Sequence, residues 1–151
     1  MDTDYSLLGE QVRSLLGDEH NLIANAANFA SFIYHEVPEL NWAGFYFPDV
    51  NGDLVLGPFG GRPACARLSK GRGVCGAAFT REATVVIDDV SEYSDHIMCD
   101  SAAASEIVVP LIVNGEKLGV FDIDSPTLAR FSTADRVGLE ALVGIFMSTI
   151  G

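Results

Sequence analysis

The sequence predicts an α+β fold: an antiparallel sheet with helices packed on it. Three observations point there. Apolar residues recur at helical spacing near both ends of the chain, alternate with period two through the middle, and two Asn-Gly pairs join strand-like runs.

The N-terminal segment comes first. Leu8, Val12 and Leu15 lie at helical spacing, and Gly17 breaks the run. A second helix follows, with Leu22, Ala26, Phe29, Ala30, Ile33 and Val37 on one apolar face and Pro38 at its end. Asn41 to Phe47 then reads as a strand, and Asn51-Gly52 turns the chain into a second, Asp53 to Gly57. From Pro58 to Arg72 glycine and proline indicate loop, with a short strand around Cys65. Gly73 to Arg81 suits a short helix and Thr84 to Ile87 a strand. Asp88 to Ser105 shows no period, and loops of that length inside small domains often carry function. Glu106 to Val113 and Lys117 to Asp124 form a hairpin across Asn114-Gly115, a type I′ signal. Pro110 implies an edge position or a bulge. Ser132-Thr133-Ala134-Asp135 opens the last helix, whose stripe is Leu139, Leu142, Val143 and Phe146.

With 151 residues, residues 1–151 suit one domain, and 48% hydrophobic residues suffice for its core. The net charge of -12 argues against nucleic-acid binding, which needs clustered cations. No apolar run is long enough to span a bilayer or has secretory flanks, so the cytoplasm is the expected location. Three cysteines are too few, and odd in number, for a disulfide framework.

Alternation makes some side chains neighbours. Trp42, Gly44 and Tyr46 share one strand face, and Ala43, Phe45 and Phe47 the other. The second face reads as core. The first sets two amphipathic rings around a residue with no side chain, which leaves room for a small guest, although strand pattern alone favours rings packed under a loop. Asp122 and Asp124 share a face of an otherwise apolar strand. Burying both is costly, and their repulsion should raise the pKa of one, making a proton donor. The alternative is a solvated strand end. Glu106 reads evenly as a ligand for an amino group or as a charge facing water.

Cys65, Cys75 and Cys99 admit several chemistries. Cys75, among small apolar neighbours, fits a core filler; Cys99, in a loop with Asp95, His96, Asp100 and Ser101, does not. His96 and Cys99 with Cys65 and Cys75 could make four zinc ligands, although the paired Cys-x-x-Cys spacing is absent. Hydrolysis with His96 as base is a further option. Redox chemistry needs only one thiolate, one resolving thiol and a reductant.

Several segments occur in a telling order: Asn41-Trp42-Ala43-Gly44-Phe45-Tyr46, Leu56-Gly57-Pro58-Phe59, Gly71-Arg72-Gly73-Val74-Cys75-Gly76, His96-Ile97 with Cys99-Asp100, Ser105-Glu106-Ile107-Val108-Val109-Pro110, and Gly119-Val120-Phe121-Asp122-Ile123-Asp124-Ser125. Together they resemble the free methionine-(R)-sulfoxide reductases, enzymes built on a GAF domain. The resemblance runs from Asn41 to the final helix. It implies a GAF-like central antiparallel sheet flanked by N- and C-terminal helices, with a pocket closed by loops. It implies reduction of free L-methionine (R)-sulfoxide, with thioredoxin as external reductant and no cofactor or metal, in a homodimer. Carried over, Cys99 matches the nucleophile, Cys65 the resolving cysteine and Cys75 the third cysteine, either a second resolver or a small residue at a helix start. Trp42 and Tyr46 match an aromatic wall. Glu106, Asp122 and Asp124 match carboxylates for the amino group and sulfoxide oxygen, with Asp122 as proton donor. Met98 stands where a small residue is common and Ala104 where a polar one is frequent. A GAF sensor module that binds a ligand without chemistry is the alternative function.

Overall fold

A computed structural model describes residues 2–97, 99 and 102–150. Among the described residues six strands form one antiparallel sheet: β1 (Trp42–Pro48), β2 (Leu54–Gly61), β3 (Arg67–Leu68), β4 (Val85–Ile87), β5 (Ser105–Val113) and β6 (Glu116–Ser125). Their spatial order is β3-β2-β1-β6-β5-β4. Four helices accompany them: α1 (Tyr5–Leu16), α2 (Leu22–Glu36), α3 (Gly73–Arg81) and α4 (Thr133–Ser148). A 3-10 turn, Val90–Glu92, interrupts the long loop between β4 and β5. Among the described residues no helix is long and apolar enough to cross a membrane.

The sheet separates two clusters of buried side chains. On one face α1, α2 and α4 bury a core in which Phe29, Phe45, Phe121 and Phe146 meet ring against ring. The Phe45 and Phe121 centroids stand 4.7 Å apart. On the other face α3 and the loops cover Trp42, Tyr46, Cys75, Val108 and Val120. Residues one apart in a strand thus enter different environments.

Local chemistry explains the boundaries. The Asp4 side chain caps α1, and Asn21 caps α2. The predicted apolar stripe of α1 shifts by one position at its end: Leu16 is buried at 3% exposure and Leu15 is 44% exposed, so the buried row Leu8, Val12 and Leu16 winds around the helix in steps of four instead of running straight along it. At Asn51-Gly52 the connection is a five-residue loop. The Asp49 carboxylate accepts the N–H groups of Asn51 and Asp53 and shapes it. Strand β2 runs on to Gly61, four residues past the predicted end, because it pairs with β1 as far as Trp42. The short strand expected around Cys65 falls at Arg67–Leu68.

Asn114 and Gly115 both take positive φ, 52° and 82°, as a type I′ turn requires. Pro110 lies past the end of β4 pairing, which stops at Val108, so its missing N–H faces no strand on that side. Ser132 caps α4 in a reciprocal capping box with Asp135.

Candidate active site

Strand register assembles the polar side chains. Asp124 on β6 stands opposite both Trp42 on β1 and Glu106 on β5, and Asp122 opposite Gly44 and Val108. Side chains of one row share a face, so Trp42, Asp124 and Glu106 line up across three strands, with Asp122 one step along. The cleft above them is lined by Trp42, Tyr46, Cys75, His96, Cys99, Glu106, Asp122 and Asp124. Its empty space, open mouth included, is about 520 Å³.

Of the two readings of Gly44, packed rings and not a guest space is what the structure shows. A methyl group there would meet Trp42 Cη2 at 2.6 Å and the Phe59 side chain closer still. Phe59 stacks on Trp42 with centroids 5.4 Å apart, and Trp42 stacks on Tyr46 at 6.0 Å. Glycine therefore admits a ring to the aromatic stack rather than a guest. The polar tips of the two aromatics have work of their own. Trp42 Nε1–H donates to Arg62 O at 3.1 Å, and Tyr46 Oη–H donates to Cys65 O at 2.9 Å. The wall thus fixes the segment that carries Cys65.

Cys65 and Cys99 form a disulfide with Cα atoms 5.3 Å apart. Cys75 is free and buried. With Cys65 and Cys99 joined, the four-ligand zinc set of His96 and three thiols does not assemble; the metal-capable group among the described residues is Cys75, Glu106 and Asp122.

The loop of Cys99 is held by a residue that the pattern did not single out. Arg72 Nε–H donates to Asp95 Oδ1 at 2.7 Å, and Gly73 N–H donates to Asp95 Oδ2 at 2.9 Å. Asp95 so ties the loop to the start of α3. An acidic residue in an aperiodic loop leaves no sequence signal for this. Met98, Asp100 and Ser101 lie outside the described residues. Ala104 is half-buried; its N–H donates to Ser125 O at 2.7 Å, and its carbonyl accepts from Val90 N–H.

The electrostatics are those of crowded acids. Glu106 is pushed well above the ordinary carboxylate range by burial, then by the charges of Asp122 and Asp124. Burial also raises Asp122, while hydrogen bonds from Glu106 and the Cys75 thiol pull it back. The repulsion read from the sequence is thus secondary to desolvation, the first cause of the rise at both Glu106 and Asp122. Cys75 is driven well above the usual thiol range by burial and then by Asp122 and Glu106. His96 Nε2 lies 3.7 Å from Glu106 Oε1, yet burial lowers its pKa. A neutral imidazole brings no positive charge to the cleft.

The GAF domain family pattern matches residues 24–150. Over 139 residues the chain is 43% identical to the free methionine-R-sulfoxide reductase of Escherichia coli, covering 92% of this chain and 84% of that one. The chain belongs to the free methionine-R-sulfoxide reductase family of GAF-domain proteins. The reduced free methionine-R-sulfoxide reductase of Staphylococcus aureus superposes with a TM-score of 0.95 at 41% identity, covering 99% of this chain and 97% of that one. The Neisseria meningitidis free methionine-R-sulfoxide reductase, in complex with its substrate, gives 0.92 at 40% identity over 99% and 92%. The likeness extends beyond Asn41 to the N-terminal helices, which carried none of the motifs.

Proposed function

We propose that this chain reduces free L-methionine (R)-sulfoxide to methionine, cycling two of its cysteines between thiol and disulfide. One observation carries the reading: the Cys65–Cys99 disulfide borders a cleft in which Glu106, Asp122 and Asp124 are buried. The disulfide is a two-electron couple, and the carboxylates suit the ammonium that a free amino acid has and a residue within a protein lacks. The family's named activity supports the same reading.

In the reduced protein the Cys99 thiolate attacks the sulfoxide sulfur. A proton from the Glu106–Asp122 pair passes to the oxygen, which moves to Cys99 as methionine leaves, giving a sulfenic acid. The Cys65 thiol attacks that sulfur, expels water and closes the disulfide. Thioredoxin then returns two electrons and two protons by exchange. A thiolate in acidic surroundings needs a positive field. His96 is neutral, so the field falls to the first turn of α3, where Gly73, Val74 and Cys75 line the cleft. Trp42 and Tyr46 wall the substrate methyl, Asp124 joins Glu106 on its ammonium, and Cys75 tunes Asp122. The reaction belongs to residues 1–151 acting as one domain, in the cytoplasm, without a bound cofactor.

The test couples NADPH oxidation through thioredoxin to free methionine (R)-sulfoxide. Turnover should occur with the free (R) epimer and vanish in Cys99→Ser. Cys65→Ser should complete one reduction and then stall with thioredoxin. Full activity in Cys99→Ser, or equal turnover of sulfoxide within a protein, overturns the reading.

A further inference from the structure

Cys75 is left over when Cys65 and Cys99 pair, but it is not isolated. Its Sγ and one carboxylate oxygen each from Glu106 and Asp122 all lie within 4.8 Å of one another. Glu106 and Asp122 are only 5% and 6% exposed. Glu106 Oε1 and Asp122 Oδ1 are fully shielded from solvent and have no hydrogen-bond partner among the described residues. A buried carboxylate oxygen with no donor is costly, and native structures rarely keep one without a reason. A cation relieves both at once.

We propose that Cys75, Glu106 and Asp122 form a site for a thiophilic divalent cation of the zinc class, and that the ion blocks the cleft by taking the place of the substrate ammonium. Zinc accepts thiolate and carboxylate together, and atoms sharing one tetrahedral zinc stand about 3.5 Å apart. Small rotamer changes bring a group within 4.8 Å to that spacing. His96 Nε2 lies 3.7 Å from Glu106 Oε1 but outside the three-residue group, so the fourth position is left to water or another exchangeable ligand. Magnesium and calcium are disfavoured, since they take oxygen shells and this site offers sulfur. Binding releases the thiol proton, because the thiolate is the ligand. The binding half stands without the reductase reading; the blocking half rests on it.

The experiment titrates the disulfide form with cobalt(II), whose thiolate charge-transfer absorption reports a sulfur ligand. Cys75 is then the free thiol. One equivalent should bring up the band, and zinc should erase it. Cys75→Ser should lose it, and Glu106→Gln should weaken cobalt binding at least tenfold. Circular dichroism checks that both variants fold. Absence of the band, or its survival in Cys75→Ser, overturns the site. If Cys75→Ser does not fold, unchanged cobalt affinity in Glu106→Gln does so instead. The blocking half is read in a Cys65→Ser/Cys99→Ser variant, which keeps Cys75 and has no redox couple. There free methionine sulfoxide should weaken cobalt binding, and its N-acetyl derivative, which lacks the ammonium, should not. Cobalt affinity indifferent to methionine sulfoxide overturns the blocking half alone. Failure of the reductase reading would show separately, as absent turnover beside an intact cobalt band.

Discussion

The two faces of the sheet use the same strands for opposite ends. On β6, Phe121 and Ile123 enter the aromatic core, while Asp122 and Asp124 enter the cleft. On β5, Ile107 and Val109 go one way and Glu106 the other; on β1, Ala43 and Phe45 oppose Trp42 and Tyr46. The helical face is mostly apolar contact, and its buried Asn25 on α2 is satisfied by donating to Glu19 O and Thr149 Oγ1. The cleft face buries three carboxylates and a thiol, and leaves two carboxylate oxygens without a partner among the described residues. The helical face makes the fold stable enough to tolerate the other, and the unsatisfied acids leave the cleft ready for a cation.

The largest way to break this division is Phe121→Ala. Phe121 is fully buried, and its ring lies 5.0 Å from Phe29 and 4.7 Å from Phe45. Truncation should cost about 3–5 kcal/mol, the range for a buried phenylalanine. That is a large fraction of a typical domain's stability. Urea unfolding should show the midpoint fall, while the molecules still folded keep their KM for the sulfoxide. A KM that rises with the loss of stability would mean the faces are not independent.

Strand parity is also why so much was legible. A period of two assigns each residue to a face, so the amino-acid sequence alone places the core ring Phe45 and the cleft residues Trp42, Tyr46 and Asp122. The Cys65–Cys99 pairing came from the family resemblance, since spacing alone left the thiols open. Three features stayed hidden because they are tertiary. Gly44 left two readings open and strand pattern favoured packed rings, as found, but nothing in the pattern showed that Phe59 from β2 would complete the aromatic stack over it. Asp95 binds a helix start 22 residues away in the chain. Glu106 looked evenly like ligand or surface, and only its register opposite Asp124 buries it. The slipped stripe of α1 is a different failure: Leu15 and Leu16 are both apolar, and only packing into the core between the helices chooses between them.

Glu106→Gln sharpens the comparison from the cleft side, because it should move activity and stability in opposite directions. Losing the acid should lower kcat/KM about 10²- to 10⁴-fold, the usual contribution of a positioned proton donor. Stability should rise. The folded pKa of Glu106 lies above its unfolded value. As pH climbs past the ordinary carboxylate pKa, the unfolded chain releases this proton while the fold retains it. The contribution of Glu106 is therefore full in acid and declines as pH rises toward the folded value. Glutamine has no proton to lose, so the gain over wild type should grow with pH and reach about 1 kcal/mol at neutrality, as when other functional residues are neutralised. Thermal unfolding of both proteins from mild acid to pH 8 measures it. Parallel stability curves would show that Glu106 is not held protonated.

The smallest effect belongs to the helical face and tests the division from the other side. Ser132 Oγ accepts Asp135 N–H at 3.1 Å, and the Asp135 carboxylate accepts Ser132 N–H at 2.9 Å. Ser132→Ala removes the first bond and leaves α4 with one more unsatisfied donor in its first turn, a cost of about 1 kcal/mol. Asp135 keeps other anchors, the Tyr5 hydroxyl at 2.7 Å and Arg130 Nη1 at 3.0 Å, so the helix start should stay in place. Helix α4 packs on the core face, and none of its residues lines the cleft. The sulfoxide kcat/KM should therefore be unchanged at temperatures where the variant is folded. A drop in kcat/KM with folding intact would mean that the sheet transmits strain from one face to the other. The alternation of side chains would then describe the architecture of this protein without describing how it works.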